Sequence, residues 1–228
     1  MKECDVKLIG FDLDDTIYPE YEFVISGFYA VSKEMAIDID IDENNLLSLM
    51  ISKFRVSSRN VFDRVLSHFE INASKDLINK YVQIYIEHEP KICAYKDIKT
   101  SLALLKKKYK IALITDGNAV SQRNKIRVLG VEEFFDEIIF TDDYGKSFWK
   151  PSPYAFELLK QRTKIDYSCM VYVGDNPCKD FHIKNVYPVT TVRIKREGYT
   201  ILKECENLVQ SEFEIENMDQ LISLLEKR

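Results

Sequence analysis

Three aspartates crowd into one short stretch of this chain, Ile9-Gly-Phe-Asp-Leu-Asp-Asp-Thr16, at the end of an apolar run from Val6 to Phe11. An ordinary strand-end turn uses one Asp, whose side chain bonds its own backbone. Asp12, Asp14 and Asp15 beside a hydrophobic strand repel one another unless a cation or a shared proton resolves the charge. Three further clusters lie far along the chain: Thr115-Asp116-Gly117-Asn118, Lys150 ahead of Pro151, and Gly174-Asp175-Asn176 followed by Asp180. Clustered carboxylates suit a hard, oxygen-preferring cation, above all Mg²⁺. An ammonium, a hydroxyl and loop N–H groups suit a phosphate dianion. An Asp held beside both can attack phosphorus, and a second can move the proton. The residue types point to phosphoryl transfer.

Elements of a parallel sheet would bring these clusters together. Short apolar runs at Lys110–Thr115, Glu137–Thr141, Met170–Gly174 and Val189–Ile194 read as strands. Between them, Asp97–Lys108, Val120–Leu129 and Ser152–Arg162 read as helices, with Met218–Leu225 closing the chain. Such alternation predicts an α/β fold, a Rossmann-like parallel sheet covered on both faces. Every cluster then falls at the carboxyl end of a strand, where open α/β sheets bind their ligands. Residues 20 to 92 break the rhythm with helical stripes such as Val24, Phe28, Val31 and Met35, with Asp42 and Ser74 as N-caps. They predict an inserted α-helical bundle. The expected division is a core of residues 1–18 and 94–228 and a helical insert of residues 19–93.

The four clusters, in order, resemble the motifs of the haloacid dehalogenase-like phosphohydrolases. Asp12-Leu13-Asp14-Asp15-Thr16 resembles the family's Asp-x-Asp-x-Thr, Thr115-Asp116-Gly117 the second motif and Lys150 the third. Gly174 to Asp180 resembles the fourth, Gly-Asp-x-x-x-x-Asp. The resemblance implies Asp12 as nucleophile, Asp14 as general acid/base and Lys150 as a further catalytic residue. It implies a phosphoryl grip by Thr115 and its neighbours Asp116, Gly117 and Asn118, although Asn118 reads equally as a helix cap. It implies Mg²⁺ held by the Asp12 carboxylate, the Asp14 main-chain carbonyl and Asp175. Asp180 would support the metal waters or orient Lys150. The helical insert takes the family's usual cap position, and a mobile cap of that kind would admit and exclude water between steps.

Members that cleave carbon–halogen bonds lack an acid at the position of Asp14, so the resemblance implies a phosphatase. The expected substrate is a small phosphomonoester, a sugar phosphate or nucleotide. A mutase of the β-phosphoglucomutase type shares the core, and a non-catalytic phospho-ligand binder is the reading from another class. In the insert, Arg55, Arg59 and Arg64 could reach a substrate or simply line solvated faces. Tyr18 and Tyr21 could line an entrance. Phe148 and Trp149 could stack on a ligand, but read more simply as packing.

Bulk properties narrow the setting. The chain has 228 residues, is 46% hydrophobic and carries a net charge of −5. With no basic stripe, nucleic acid is not expected as a partner. No run approaches the roughly 18 apolar residues of a membrane span, so no membrane partner is expected either. The five cysteines (Cys4, Cys93, Cys169, Cys178, Cys205) show no metal or scaffold spacing. They suggest a reducing cytoplasm without disulfides. The expected assembly is a monomer or homodimer.

Overall fold

The computed structural model describes residues 5–196 and 207–227. The chain divides into two compact units, residues 1–20 with 93–228, and residues 21–92.

In the larger unit, six parallel strands among the described residues form one sheet: β1 (Leu8–Phe11), β2 (Lys110–Thr115), β3 (Glu137–Phe140), β4 (Met170–Gly174), β5 (Thr190–Ile194) and β6 (Phe213–Ile215). Their order is β3-β2-β1-β4-β5-β6. The central strands are buried end to end, as their unbroken apolar runs require in a sheet covered on both faces. β1 pairs with β2 on one side and β4 on the other, with Phe11 opposite both Leu113 and Val173. The strand order reverses direction here, which opens a crevice beyond the carboxyl ends of these strands.

Among the described residues, eight α-helices accompany the strands. Four belong to the insert: α1 (Glu20–Ile39), α2 (Glu43–Val56), α3 (Val61–His68) and α4 (Lys75–Glu87). The others are α5 (Ile98–Leu105), α6 (Ala119–Leu129), α7 (Tyr154–Thr163) and α8 (Met218–Leu225). The apolar stripes of the insert meet in its own core, where Phe28, Met35, Leu46, Met50, Leu66 and Tyr81 are buried. Asp42 and Ser74 cap α2 and α4, accepting from Asn45 N at 3.0 Å and Leu77 N at 3.2 Å. In the insert, Arg64 donates to Lys53 O at 2.9 Å and to Ser57 O, closing the turn between α2 and α3. Arg55 and Arg59 are exposed.

Two expectations are corrected. β6 went unread because a three-residue edge strand is too short to show a period. Cys169 and Cys178, at opposite ends of β4, are both disulfide-bonded. Pairing depends on Cα atoms approaching to about 6 Å in the folded chain, which spacing along the sequence does not reveal. Cys4 and Cys205 lie outside the described residues. Among the described residues, no helix is long and apolar enough to cross a membrane.

Candidate active site

The first motif leaves β1 without a break. Asp12 N still bonds Val173 O at 2.9 Å, so this aspartate is held to the neighbouring strand by the sheet's own ladder. The chain then turns sharply: Asp15 adopts a left-handed backbone (φ 55°) and its carboxylate accepts Glu20 N at 2.9 Å. Short polar side chains tolerate that conformation better than bulky ones.

Asp12 is buried, and its Oδ1 accepts from Lys150 Nζ. The same ammonium donates to Asp180 Oδ1 at 2.8 Å and lies 2.9 Å from the Tyr172 hydroxyl. Burial, reinforced by Asp180 and resisted by Lys150, raises the Asp12 carboxyl to about 6. Burial works against the Lys150 charge, but Asp12 and Asp180 hold the ammonium well above its usual range. Burial and the neighbouring Asp180 and Asp12 charges likewise push Asp175 well above the carboxylate range. Arg193 on β5 steadies this corner by donating to Asp175 O at 3.0 Å.

Carboxylate oxygens of Asp12, Asp175 and Asp180 lie within 4.8 Å of one another. Asp12 Oδ2 is buried without a hydrogen-bond partner. An orphaned carboxylate oxygen in an all-oxygen cluster fits a hard divalent cation. Asp180 is largely committed elsewhere, with Oδ1 on Lys150 and Oδ2 accepting Asn176 N at 2.9 Å. It shapes the fourth loop and aims the lysine. Gly174 permits this, since a Cβ there would sit 2.6 Å from Asp180 Oδ2.

Asp14 points elsewhere. Its Oδ1 accepts from Lys125 Nζ at 2.7 Å and from the Tyr18 hydroxyl, and its Oδ2 from Gln122 Nε2 at 2.9 Å. Burial alone would raise its carboxyl, but these donors, led by Lys125, bring it down to about 2. Tyr18 is fully buried against this carboxylate, which rules out an entrance-lining role. Lys125 and Gln122 escaped the sequence reading because a polar helix residue normally faces water. Their three-residue spacing, which puts them on one face of a helix, was the only signal available.

In the second motif, Thr115 is buried at the end of β2. Asp116 turns inward: its Oδ1 accepts the Thr141 hydroxyl at 2.8 Å and Lys150 N at 3.1 Å. Lys179 Nζ stands 3.8 Å from its Oδ2. Asp116 therefore ties the second motif to the third. Gly117 takes φ 104°, a conformation L side chains rarely adopt. Asn118 is the N-cap of α6, its Oδ1 accepting Val120 N at 3.0 Å and Ser121 N at 3.3 Å. Phe148 packs on Tyr154 at 4.3 Å between ring centroids, and Trp149 Nε1 donates to Asp142 at 3.2 Å.

Residues 9–185 match the haloacid dehalogenase-like hydrolase family. This chain belongs to that family. It is 26% identical to the glyceraldehyde 3-phosphate phosphatase of Methanopyrus kandleri, covering 96% of this chain and 97% of that protein. It is 28% identical to the Methanocaldococcus jannaschii protein of the same name, over the same shares of the two chains. Its fold matches the crystal structure of a HAD phosphatase from Thermococcus onnurineus with a TM-score of 0.64, at 22% identity and covering 96% of this chain and 98% of that one. With the four motifs joined through Lys150 and Asp116, the family match and the curated relatives make the protein a HAD-type phosphatase.

Proposed function

We propose that the protein is a Mg²⁺-dependent phosphomonoester hydrolase that works through an aspartyl-phosphate on Asp12. The observation that carries this is the buried Asp12 carboxylate, flanked by Lys150 and left with one oxygen free of hydrogen bonds. Asp12 and Asp175, with the Asp14 main-chain carbonyl, would hold Mg²⁺. The bound ion would supply positive charge where a carboxylate must meet a phosphate dianion.

The residues of the chain account for both half-reactions. In the first, an Asp12 oxygen bonds phosphorus as the bond to the ester oxygen breaks, and Asp14, which must enter this step protonated against the pull of Lys125, gives that oxygen its proton. In the second, water bonds phosphorus and passes a proton to Asp14 while the bond to Asp12 breaks, releasing inorganic phosphate and restoring both aspartates. Lys150 stays charged through both and offsets the anionic charge beside Asp12. Thr115 and the N–H groups of the Asp116-Gly117 loop complete the phosphoryl site.

The curated relatives favour a short sugar phosphate, with glyceraldehyde 3-phosphate the first compound to try. A cytoplasmic setting fits such a metabolite. It is compatible with the bonded Cys169 and Cys178 where intracellular proteins carry disulfides, as in hyperthermophilic archaea.

Inorganic phosphate release from glyceraldehyde 3-phosphate, other sugar phosphates and nucleotides tests the reading, with Mg²⁺ or chelator, for wild type and Asp12→Asn. Metal-dependent release that vanishes in the variant supports it. Folded, Mg²⁺-supplied wild type that releases phosphate from none of them refutes it.

A further inference from the structure

Asp14 is gripped by two side chains of α6 that the phosphatase reading does not use. Lys125 and Gln122 stand three residues apart on that helix, so they share one face and reach the same carboxylate from one turn of backbone. Lys125 holds Oδ1 at 2.7 Å and Gln122 holds Oδ2 at 2.9 Å, so each oxygen has its own donor from α6. Both residues are buried, with Gln122 2% exposed and Lys125 4%. A buried lysine is costly unless paired, and its partner here is Asp14, a first-motif carboxylate outside the Lys150 network.

The route to Asp14 is built in. Gln122 also donates to Asp116 O, and a Cβ on Gly117 would lie 3.0 Å from Gln122 Nε2. Asn118 fixes the start of α6 by capping it. The helix that follows the second motif is thereby keyed to the first.

We propose that Gln122 and Lys125 are positioning residues that fix the Asp14 carboxylate in one orientation, so that it can deliver a proton to the departing oxygen and later take one from water. A carboxylate offers about four lone-pair directions. The Lys125, Tyr18 and Gln122 bonds occupy three, which leaves one direction on Oδ2 for the proton. The inference rests on the phosphatase reading and extends it to two residues outside the four motifs.

Leaving-group dependence separates positioning from general damage. A 4-nitrophenolate departs without a proton, so forming the aspartyl-phosphate from 4-nitrophenyl phosphate does not need Asp14, whereas its hydrolysis does. Stopped-flow release of 4-nitrophenolate would be followed for wild type, Lys125→Met and Gln122→Met, beside steady-state turnover of glyceraldehyde 3-phosphate. General acid–base catalysis contributes about 10²- to 10⁴-fold, and a misaimed group forfeits part of that.

For Lys125→Met we expect a burst near one equivalent at about the wild-type rate, then steady-state turnover about 10- to 100-fold slower, with glyceraldehyde 3-phosphate slowed without a burst. Gln122→Met keeps the ion pair and carries the test if Lys125→Met does not fold; its steady-state loss is expected to be about 3- to 10-fold, again with the burst rate kept. A burst rate that falls in step with turnover, or no change in either variant, overturns the inference. Wild type inactive on both compounds would instead overturn the phosphatase reading itself.

Discussion

Lys150 Nζ and Asp180 Oδ1 lie 2.8 Å apart with side chains 1% and 0% exposed, and the same ammonium reaches Asp12. One lysine thus sets the charge balance of Asp12 and of the loop bearing Asp175. Removing one partner of a buried ion pair leaves uncompensated charge and typically costs about 3–5 kcal/mol. Lys150→Met should lower metal-free stability by about 3 kcal/mol by denaturant melt and reduce kcat by at least about 10²-fold. Stability within about 1 kcal/mol of wild type would show that the cluster does not need the lysine.

Gly174→Ala tests the same network without removing a polar atom. The added methyl would sit 2.6 Å from Asp180 Oδ2 and 2.8 Å from its carboxyl carbon, forcing the side chain off Lys150 and Asn176 N. We expect kcat to fall about 10-fold or more, because small misplacements of catalytic groups are costly. Wild-type kinetics would mean that Asp180 can shift without disturbing Lys150.

The acidic cluster should report its cation by stability alone. A ligand at 100 times its dissociation constant stabilises the native state by about 2.7 kcal/mol. For a chain of this length that raises the melting temperature by about 5 °C or more. Mg²⁺ should produce this shift in wild type and lose it in Asp175→Asn; an equal shift in both would place the ion elsewhere.

Asn118 separates capping from substrate contact. Replacing an N-cap with Ala costs about 1 kcal/mol. Asn118→Ala should lower the unfolding free energy by about that much while leaving KM within about two-fold of wild type. A large rise in KM at unchanged stability would assign the side chain to the substrate instead.

Asp97 ties Arg196, just past β5, to the start of α8, accepting Arg196 Nη1 at 2.7 Å and Met218 N at 2.9 Å. Burial works against its charge, but Arg196 and the Met218 N–H outweigh that and lower its carboxyl below the usual 3.8. A depressed carboxylate contributes stability that is fully present above its unfolded value and lost as pH falls through the folded one. Asp97→Asn should therefore cost about 1–2 kcal/mol at pH 7, with the gap to wild type closing at pH 3 and below. A gap of constant size across that range would exclude the carboxylate charge as its source.

The parallel sheet and the placement of the four clusters at its carboxyl edge were legible along the chain. Unbroken short runs such as Ile111 to Ile114 and Met170 to Val173, set between amphipathic helices, read as doubly buried strands. The insert was legible for the complementary reason, a helical period in its apolar residues with no strand alternation. β6 and the helix starts were less so: α7 begins at Tyr154 with Pro153 as its N-cap, slightly later than its apolar period implied. Local pattern is weakest at boundaries, because the last turn is decided by neighbours.

Asp12, Asp14, Lys150 and Asp175 announced themselves because charged residues beside buried strands cost too much to be there without a partner. Their number and spacing pointed to the chemistry proposed for the site. Which partner each one takes was decided by tertiary structure. Lys125 and Gln122 look like ordinary residues of a polar helix until the fold sets that helix face against Asp14. Asp116 reads as a phosphate-loop residue until its carboxylate is seen to hold Lys150 N and Thr141. Such pairings join residues from 25 to 111 positions apart. Hydrogen bonds and ion pairs act over a few ångströms of space, and the distance along the chain carries no record of them.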